Sequence, residues 1–250
     1  MKTFKIGGIH PHENKISASA PTEVLSVPQK IYIPFSQVLG APSIPVVDKG
    51  EKVFVGQLLA KGEAFISANV HSSVSGTISK IDDIIDTSGY KRKAFVIDVD
   101  GDEWLDSIDK SPKIIKDINL SSEEIIKKIH DNGIVGLGGA TFPSHIKLMV
   151  PKGKKAEVLI INGVECEPYL TADHRLMLEK AEEIMCGISI LMKAIGVNKA
   201  LIGIENNKTD AIDYLKKLAV EYTGIEVHAL KVKYPQGGEK QLINALIGSS

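Results

Sequence analysis

The strongest constraint on the fold is a regular alternation of strand-like and helix-like segments from residue 121 onward. Strands that alternate with helices of this length predict parallel βαβ units, and therefore an α/β domain over residues 113–250. The predicted strands are residues 157–161, 200–204 and 225–232. The predicted helices are residues 174–195, 209–222 and 239–246, after a first helix that begins near Ser121 and ends at Asn132-Gly133.

The first part of the chain, residues 1–112, has a different pattern. Short apolar stretches at 30–33, 52–59, 76–81 and 94–99 are rich in Val, Ile and Phe and are separated by turn residues. This pattern predicts a β-rich domain. Residues 49–57 and 71–78 look like the two halves of a lipoyl-type barrel-sandwich unit. Lys61 lies between Ala60 and Gly62 and lacks the neighbours of a cofactor-carrying lysine, so we predict a structural unit.

The composition excludes several classes of function. Hydrophobic residues make up 43% and charged residues 24%, which is typical of a soluble globular protein. The net charge of -1 gives no general attraction to nucleic acid. No apolar run reaches the roughly 18 residues of a transmembrane helix, so the chain is expected to lack a membrane span of its own. Cys166 and Cys186 are too few to ligate an iron–sulfur cluster, and the histidines show no metal-ligand spacing.

A glycine-rich segment, residues 133–143, is the most informative candidate site. Gly133, Gly136, Gly138 and Gly139 leave backbone N–H groups free to surround an anion such as phosphate. It is not a Rossmann fingerprint, since a predicted helix precedes it. Lys147 lies just downstream and could pair with a phosphate. A purely structural turn is the alternative interpretation.

Two further loops follow predicted strands. The first carries Asn162, Glu165 and Glu167, and its amide and carboxylates could hold the hydroxyls of a ribityl or ribose group. The second carries the paired Gly237 and Gly238 at the start of a predicted helix, where a ligand can approach the backbone closely. The carboxyl ends of parallel strands are where α/β sheets bind ligands. A charged surface loop and an ordinary strand-to-helix turn are the alternatives.

Together the three segments resemble the flavin subunit of respiratory complex I, in which they occur in the same order. The last of them matches a Tyr-x-x-Gly-x-Glu…Leu-Ile-Asn-x-Leu-x-Gly pattern, here Tyr234, Gly237, Glu239, Leu242, Ile243, Asn244, Leu246 and Gly248. A narrower resemblance is indicated by the barrel-sandwich part and by the leading segment Gly7-Gly8-Ile9-His10-Pro11. The chain resembles the C subunit of the Rnf electron transport complex over essentially all of its 250 residues.

The resemblance implies a domain that binds FMN, with NADH stacked on the isoalloxazine ring. It implies that the redox chemistry belongs to the cofactor, with no catalytic side chain. The residues expected to contact FMN are Gly136, Gly138, Gly139, Lys147, Asn162, Glu165, Gly237 and Gly238. Those expected to contact or border NADH are Phe142, Glu167 and Glu239.

Several positions depart from the complex I pattern. Val135 and Leu137 stand where arginines flank the loop glycines, and Val164 replaces an acidic residue. Gly238 replaces a glutamate and Lys240 a threonine. These changes are in keeping with the Rnf branch.

The resemblance also implies what lies beyond this chain. Complete family members continue into a β-grasp-like domain and a ferredoxin-like region with two 4Fe-4S clusters, so the chain is expected to be truncated before them. The expected partners are the other Rnf subunits, NADH, and ferredoxin through partner subunits. The expected location is peripheral, at the cytoplasmic face of the plasma membrane. A cobalamin reductase-like flavoprotein, the A subunit of a Na+-translocating quinone reductase and a cofactor-free docking scaffold are the alternatives.

Overall fold

The computed structural model describes residues 1–86 and 88–248. They form two compact units whose segments interleave along the chain. The β unit comprises residues 24–112 and 123–149, and the α/β unit comprises residues 1–23, 113–122 and those from 150 onward. The domain division at residues 112 and 113 stays a prediction.

The β unit is built from short antiparallel strands. Its elements are β1 (Lys30–Pro34), β2 (Ile44–Pro45), β3 (Lys52–Val53), β4 (Leu58–Lys61), β5 (Val70–His71), β6 (Ser75–Ile85), β7 (Lys91–Gly101), α1 (Ser122–Asp131) and α2 (Ser144–Lys147). One sheet has the order β1-β7-β6-β3 and the other the order β2-β4-β5. The two predicted barrel halves pair with each other, since Lys52 lies opposite Thr77 and Val53 opposite Gly76.

Three of the four apolar stretches lie within single strands of the β unit, namely β1, β6 and β7. Ile78, Phe95 and Ile97 are fully buried, so the inward side chains of β6 and β7 form its centre. The apolar stretch at residues 52–59 is divided between two short strands. Gly56 has φ of +84° and turns the chain, so β3 and β4 join different sheets.

The α/β unit contains the predicted parallel sheet. Its elements are β8 (Leu159–Gly163), α3 (Ala172–Glu179), α4 (Ala181–Ile195), β9 (Ala200–Glu205), α5 (Thr209–Ala219), β10 (Ile225–Leu230) and α6 (Glu239–Ile247). The strand order is β10-β9-β8, and both pairings are parallel. The prediction of parallel βαβ units is therefore confirmed.

Helices cover both faces of this sheet, as parallel sheets require. Ile202 and Ile204 face the core formed with α4 and α5, while Leu201 faces the smaller core under α6. Gly203 also lies on the α6 side, where a Cβ atom would approach Leu242 Cδ1 to 2.8 Å. A larger residue at position 203 would require the end of the Leu242 side chain to move.

Two features of the α/β unit differ from the predicted pattern. The single predicted helix over 174–195 is wrong, because Lys180 has φ of -131° and ψ of 31° and separates α3 from α4. Residues 1–23 belong to this unit, although the pattern assigned them to the β-rich part. Lys2 pairs with Leu230 at the edge of the sheet, and Ile9 pairs with Tyr234.

No helix within residues 1–86 and 88–248 has both the length and the apolar character needed to cross a bilayer.

Gly187, inside α4, and Gly196, directly after it, make a matched pair for a stability test. Gly187 lies inside the helix, and a Cβ there would meet nothing within 4 Å. We expect Gly187→Ala to raise the free energy of unfolding by roughly 0.5–1 kcal/mol. Gly196 ends the helix with φ of +68°, so Gly196→Ala should lower it by about 1 kcal/mol. Urea denaturation measures both, and equal effects of the two substitutions would contradict the assigned helix boundary.

Candidate functional site

The two loops predicted after strands meet at the carboxyl ends of the parallel sheet. Asn162, at the end of β8, donates from Nδ2 to the carbonyl oxygen of Gly237 at 2.9 Å. Its Oδ1 accepts a hydrogen bond from the backbone N–H of Val164 at 3.1 Å. The N–H of Gly237 donates to Cys166 Sγ at 3.4 Å. The structure therefore brings Asn162, Glu165, Glu167, Gly237 and Gly238 into one region.

Close backbone packing explains the glycine at position 237. A Cβ atom there would lie 3.1 Å from the carbonyl oxygen of Val164 and 3.4 Å from Cys166 Sγ. The neighbouring Gly238 is the N-cap of α6, and Glu239 is exposed in its first turn. The partial positive charge of a helix N-terminus therefore lies beside this loop.

Glu165 is buried, with 3% of its surface exposed. Its Oε1 accepts from the N–H of Asp173 at 2.7 Å and its Oε2 from the N–H of His174 at 3.3 Å. These N–H groups begin α3, so the carboxylate satisfies donors that the helix itself cannot. A ribityl contact for Glu165 stays a prediction beside this capping role.

Cys166 and Glu167 differ in exposure. Glu167 is exposed, whereas Cys166 is buried, and its Sγ lies 3.8 Å from Glu167 Oε2. Burial is the main cause that raises the pKa of the Cys166 thiol. A thiol with a raised pKa is a poor nucleophile at neutral pH.

A buried ion pair lies at the end of the central strand, and neither of its residues is among the sequence-predicted site residues. Lys208 Nζ lies 3.5 Å from Glu205 Oε2, and both side chains are at most 3% exposed. Glu205 Oε1 also accepts from the N–H of Lys233 at 3.3 Å. Glu205 is the last residue of β9, so the strand-end rule that identified Asn162 also points to it.

The sequence motifs also gave no indication of two further polar residues of this region, Gln236 and Lys15. Gln236 is fully buried, and its Oε1 accepts from the N–H of Phe4 at 3.2 Å, while its Nε2 donates to the carbonyl of Lys231. Lys15 donates to backbone carbonyls of the loop that carries Glu165. Both contacts involve the first 23 residues, whose sequence has no periodicity that indicates a packing partner.

The glycine-rich loop belongs to the β unit and follows α1. It closes as a hairpin, since Val135 pairs with Pro143 and the N–H of Gly136 donates to the carbonyl of Phe142 at 3.0 Å. Gly138 and Gly139 are exposed in this hairpin, and a Cβ on either would meet nothing within 4 Å. Space for a ligand is therefore open above these two backbones.

A cleft of about 230 Å³ lies beside this loop within the β unit. Val135, Leu137 and Thr141 line one side, and Asn69 and His71 line the other. Burial lowers the pKa of His71, so the imidazole is neutral at neutral pH. Lys147 is exposed at the end of α2, where the predicted phosphate contact is not obstructed.

These features define a class of protein. Loops at the carboxyl ends of a parallel sheet, together with an open glycine-rich loop, are typical of nucleotide-binding and flavin-binding α/β proteins. Among residues 1–86 and 88–248, no group of three or more His, Cys, Asp or Glu side chains could hold a metal ion.

Comparison with family models supports this class. The Nuo51 FMN-binding domain matches residues 129–250, and the RnfC barrel sandwich hybrid domain matches residues 2–102. The chain thus has a barrel-sandwich hybrid domain followed by an FMN-binding domain.

Named relatives narrow the family. The chain is 48% identical over 250 residues to the C subunit of the proton-translocating ferredoxin:NAD(+) oxidoreductase complex of Clostridium ljungdahlii, covering 99% of this chain and 54% of that protein. It is 47% identical over 248 residues to the Na(+)-translocating counterpart of Acetobacterium woodii, covering 98% and 55%. An NAD+-reducing NiFe-hydrogenase, solved in the air-oxidized state, matches 52% of this chain and 24% of that chain with 26% identity and a TM-score of 0.47.

The chain is similar to the N-terminal portion of RnfC proteins over both matched domains. It spans about half the length of the curated relatives it matches.

Proposed function

We propose that this chain forms the FMN- and NADH-binding part of the RnfC protein in an ion-translocating ferredoxin:NAD(+) oxidoreductase complex. The observation that carries the proposal is the junction of the Asn162 and Gly237 loops at the carboxyl ends of β8 and β10. The match of residues 129–250 to an FMN-binding domain supports the same assignment. Bound FMN would accept a hydride from NADH and release electrons one at a time.

Each unit, taken by itself, has donors that suit one part of a flavin mononucleotide. Asn162 and Glu167 offer polar groups for ribityl hydroxyls, and Gly237 permits close approach of the ring to the backbone. Gly138 and Gly139 expose backbone N–H groups suited to a phosphate, with Lys147 as a cation in the same unit. Phe142 and Glu239 are assigned to NADH. The protein's own task is to bind and orient both nucleotides.

The wider assembly is part of the same proposal. We assign two 4Fe-4S clusters to the remainder of the full-length protein, and these clusters would receive the electrons. Ferredoxin would be reached through partner subunits of the Rnf complex, with this protein peripheral at the cytoplasmic face. A lipoyl-like arrangement of the two barrel halves is the finer assignment for the β unit. The relatives are named as parts of ferredoxin:NAD(+) oxidoreductase complexes, which favours this proposal over a cobalamin reductase.

The proposal can be tested by FMN titration of Asn162→Ala. The substitution removes the hydrogen bonds that join the two loops, so we expect the FMN dissociation constant to rise about tenfold. Quenching of flavin fluorescence measures it. Asn198→Ala changes an exposed asparagine and is the matched control. An Asn162→Ala protein that binds FMN as tightly as the Asn198→Ala control would refute the assigned site.

A further inference from the structure

The N-terminal strap, residues 13–22, contacts the loop that carries the predicted ribityl and NADH residues. The N–H of Tyr169 donates to the carbonyl of Glu13 at 2.9 Å. Ser17 Oγ lies 2.7 Å from Thr171 Oγ1. These contacts lie on the two sides of Lys15 and bring its ammonium to the inside of the loop.

Lys15 donates three hydrogen bonds from the strap to one loop. Its Nζ donates to the carbonyl oxygens of Glu165 at 2.8 Å, Glu167 at 2.8 Å and Leu170 at 2.7 Å. An ammonium group has three donors and no acceptor, so all three donors are used on one loop. Three carbonyl dipoles converging on a cation fix the path of the backbone between residues 165 and 170, because charge-assisted bonds are short and strong.

The loop held in this way contains an unfavourable backbone conformation. Tyr169 has φ of +70°, in the left-handed region that a bulky side chain rarely adopts. It lies between Glu167 and Leu170, whose carbonyls both bond to Lys15. A strained residue persists only where the surroundings over-determine it, and such residues cluster at ligand sites. Lys15 supplies that constraint here.

We propose that Lys15 is a positioning residue of the flavin site: it holds residues 165–170 in the conformation that keeps Glu165 on the first N–H groups of α3 and leaves Glu167 exposed to the ligand. The inference rests on the proposed function and deepens it. Lys15 acts through the loop, since its donors are occupied by carbonyls and not free for a ligand. The sequence motifs of the site do not include this residue, which lies 150 positions before Glu165.

The test uses Lys15→Ala and Lys15→Met. Lys15→Met keeps most of the aliphatic stem and removes only the donors, which guards against simple loss of packing. The matched control is Lys5→Ala, an exposed lysine in the same N-terminal segment. Amide hydrogen exchange of the peptide spanning residues 165–171 is measured without ligand, and the FMN dissociation constant is measured by fluorescence quenching.

We expect faster exchange in residues 165–171 for both Lys15 variants, and FMN binding weakened about tenfold or more. Adding n-propylammonium, the group that Lys15→Ala removes, should restore slow exchange and FMN affinity, whereas tetramethylammonium, which has no N–H donor, should not. Rescue by the amine alone separates a positioning ammonium from general destabilisation.

Unchanged exchange, or faster exchange with unchanged FMN affinity, would overturn the inference. If the unsubstituted chain does not bind FMN, the proposed function fails for this chain, and the exchange and rescue data alone decide the role of Lys15.

Discussion

Lys208→Met should lower the free energy of unfolding by about 3–5 kcal/mol, the largest effect we expect from one substitution outside the apolar cores. Lys208 and Glu205 are both almost fully buried, and removing the cation leaves the carboxylate without its main charge partner in a poorly solvated place. Urea denaturation at neutral pH measures the loss. Lys216→Met, at an exposed position of α5, should stay within roughly 0.5 kcal/mol of the unsubstituted chain.

The pH dependence of this loss identifies the group responsible. Burial is the main cause that raises the pKa of Glu205, and Lys208 opposes it. Without Lys208 that pKa rises further. A carboxyl group with a raised folded-state pKa binds its proton more readily in the folded state, so lowering the pH adds stability. The cost of Lys208→Met should therefore shrink as the pH falls from about 7 towards about 5.

A double substitution gives the decisive control. Glu205→Met combined with Lys208→Met removes both charges at similar volume, and we expect it to recover much of the lost stability. A single Lys208→Met variant that loses the same free energy at every pH would refute the role of the buried carboxylate. So would a double variant that is no more stable than the single one.

Glu165→Ala should lower the free energy of unfolding by about 2–3 kcal/mol. The carboxylate accepts from the first N–H groups of α3 and is buried, so alanine leaves Asp173 and His174 with unsatisfied donors. Glu165→Gln keeps an oxygen acceptor and should lose only about 1 kcal/mol. Thermal unfolding followed by circular dichroism measures both, with Glu157→Ala at an exposed position as the control.

The same pair of variants separates two roles of Glu165. If the residue also contacts FMN, Glu165→Gln should weaken FMN binding more than its small loss of stability explains. Quenching of flavin fluorescence measures that affinity. If Glu165→Ala and Glu157→Ala unfold at the same temperature, the capping role is wrong.

The fold was largely predictable because its determinants are local. The apolar runs at 200–204 and 225–232 are bounded by turns and match β9 and β10 within two residues. The break between α3 and α4 was not predictable, since the sequence around Lys180 contains no glycine or proline. The non-helical backbone of Lys180 therefore has no signal in the local sequence.

The site was predictable only in part. The meeting of the Asn162 and Gly237 loops was predictable, because strand ends and paired glycines are visible in sequence. Glu205 satisfied the same strand-end rule, but a charge at a strand end looks like a solvated residue until its burial is known. Lys15 could not be found at all, since its partners are backbone carbonyls and carry no sequence signal.

The measurement that tests the central claim most directly is the visible spectrum of the purified chain, loaded with FMN and then mixed with NADH without oxygen. We predict saturable FMN binding, followed by bleaching of the flavin band as hydride passes from NADH to the bound flavin. A folded chain that binds no FMN, or that keeps an unbleached flavin band in excess NADH, would contradict the claim.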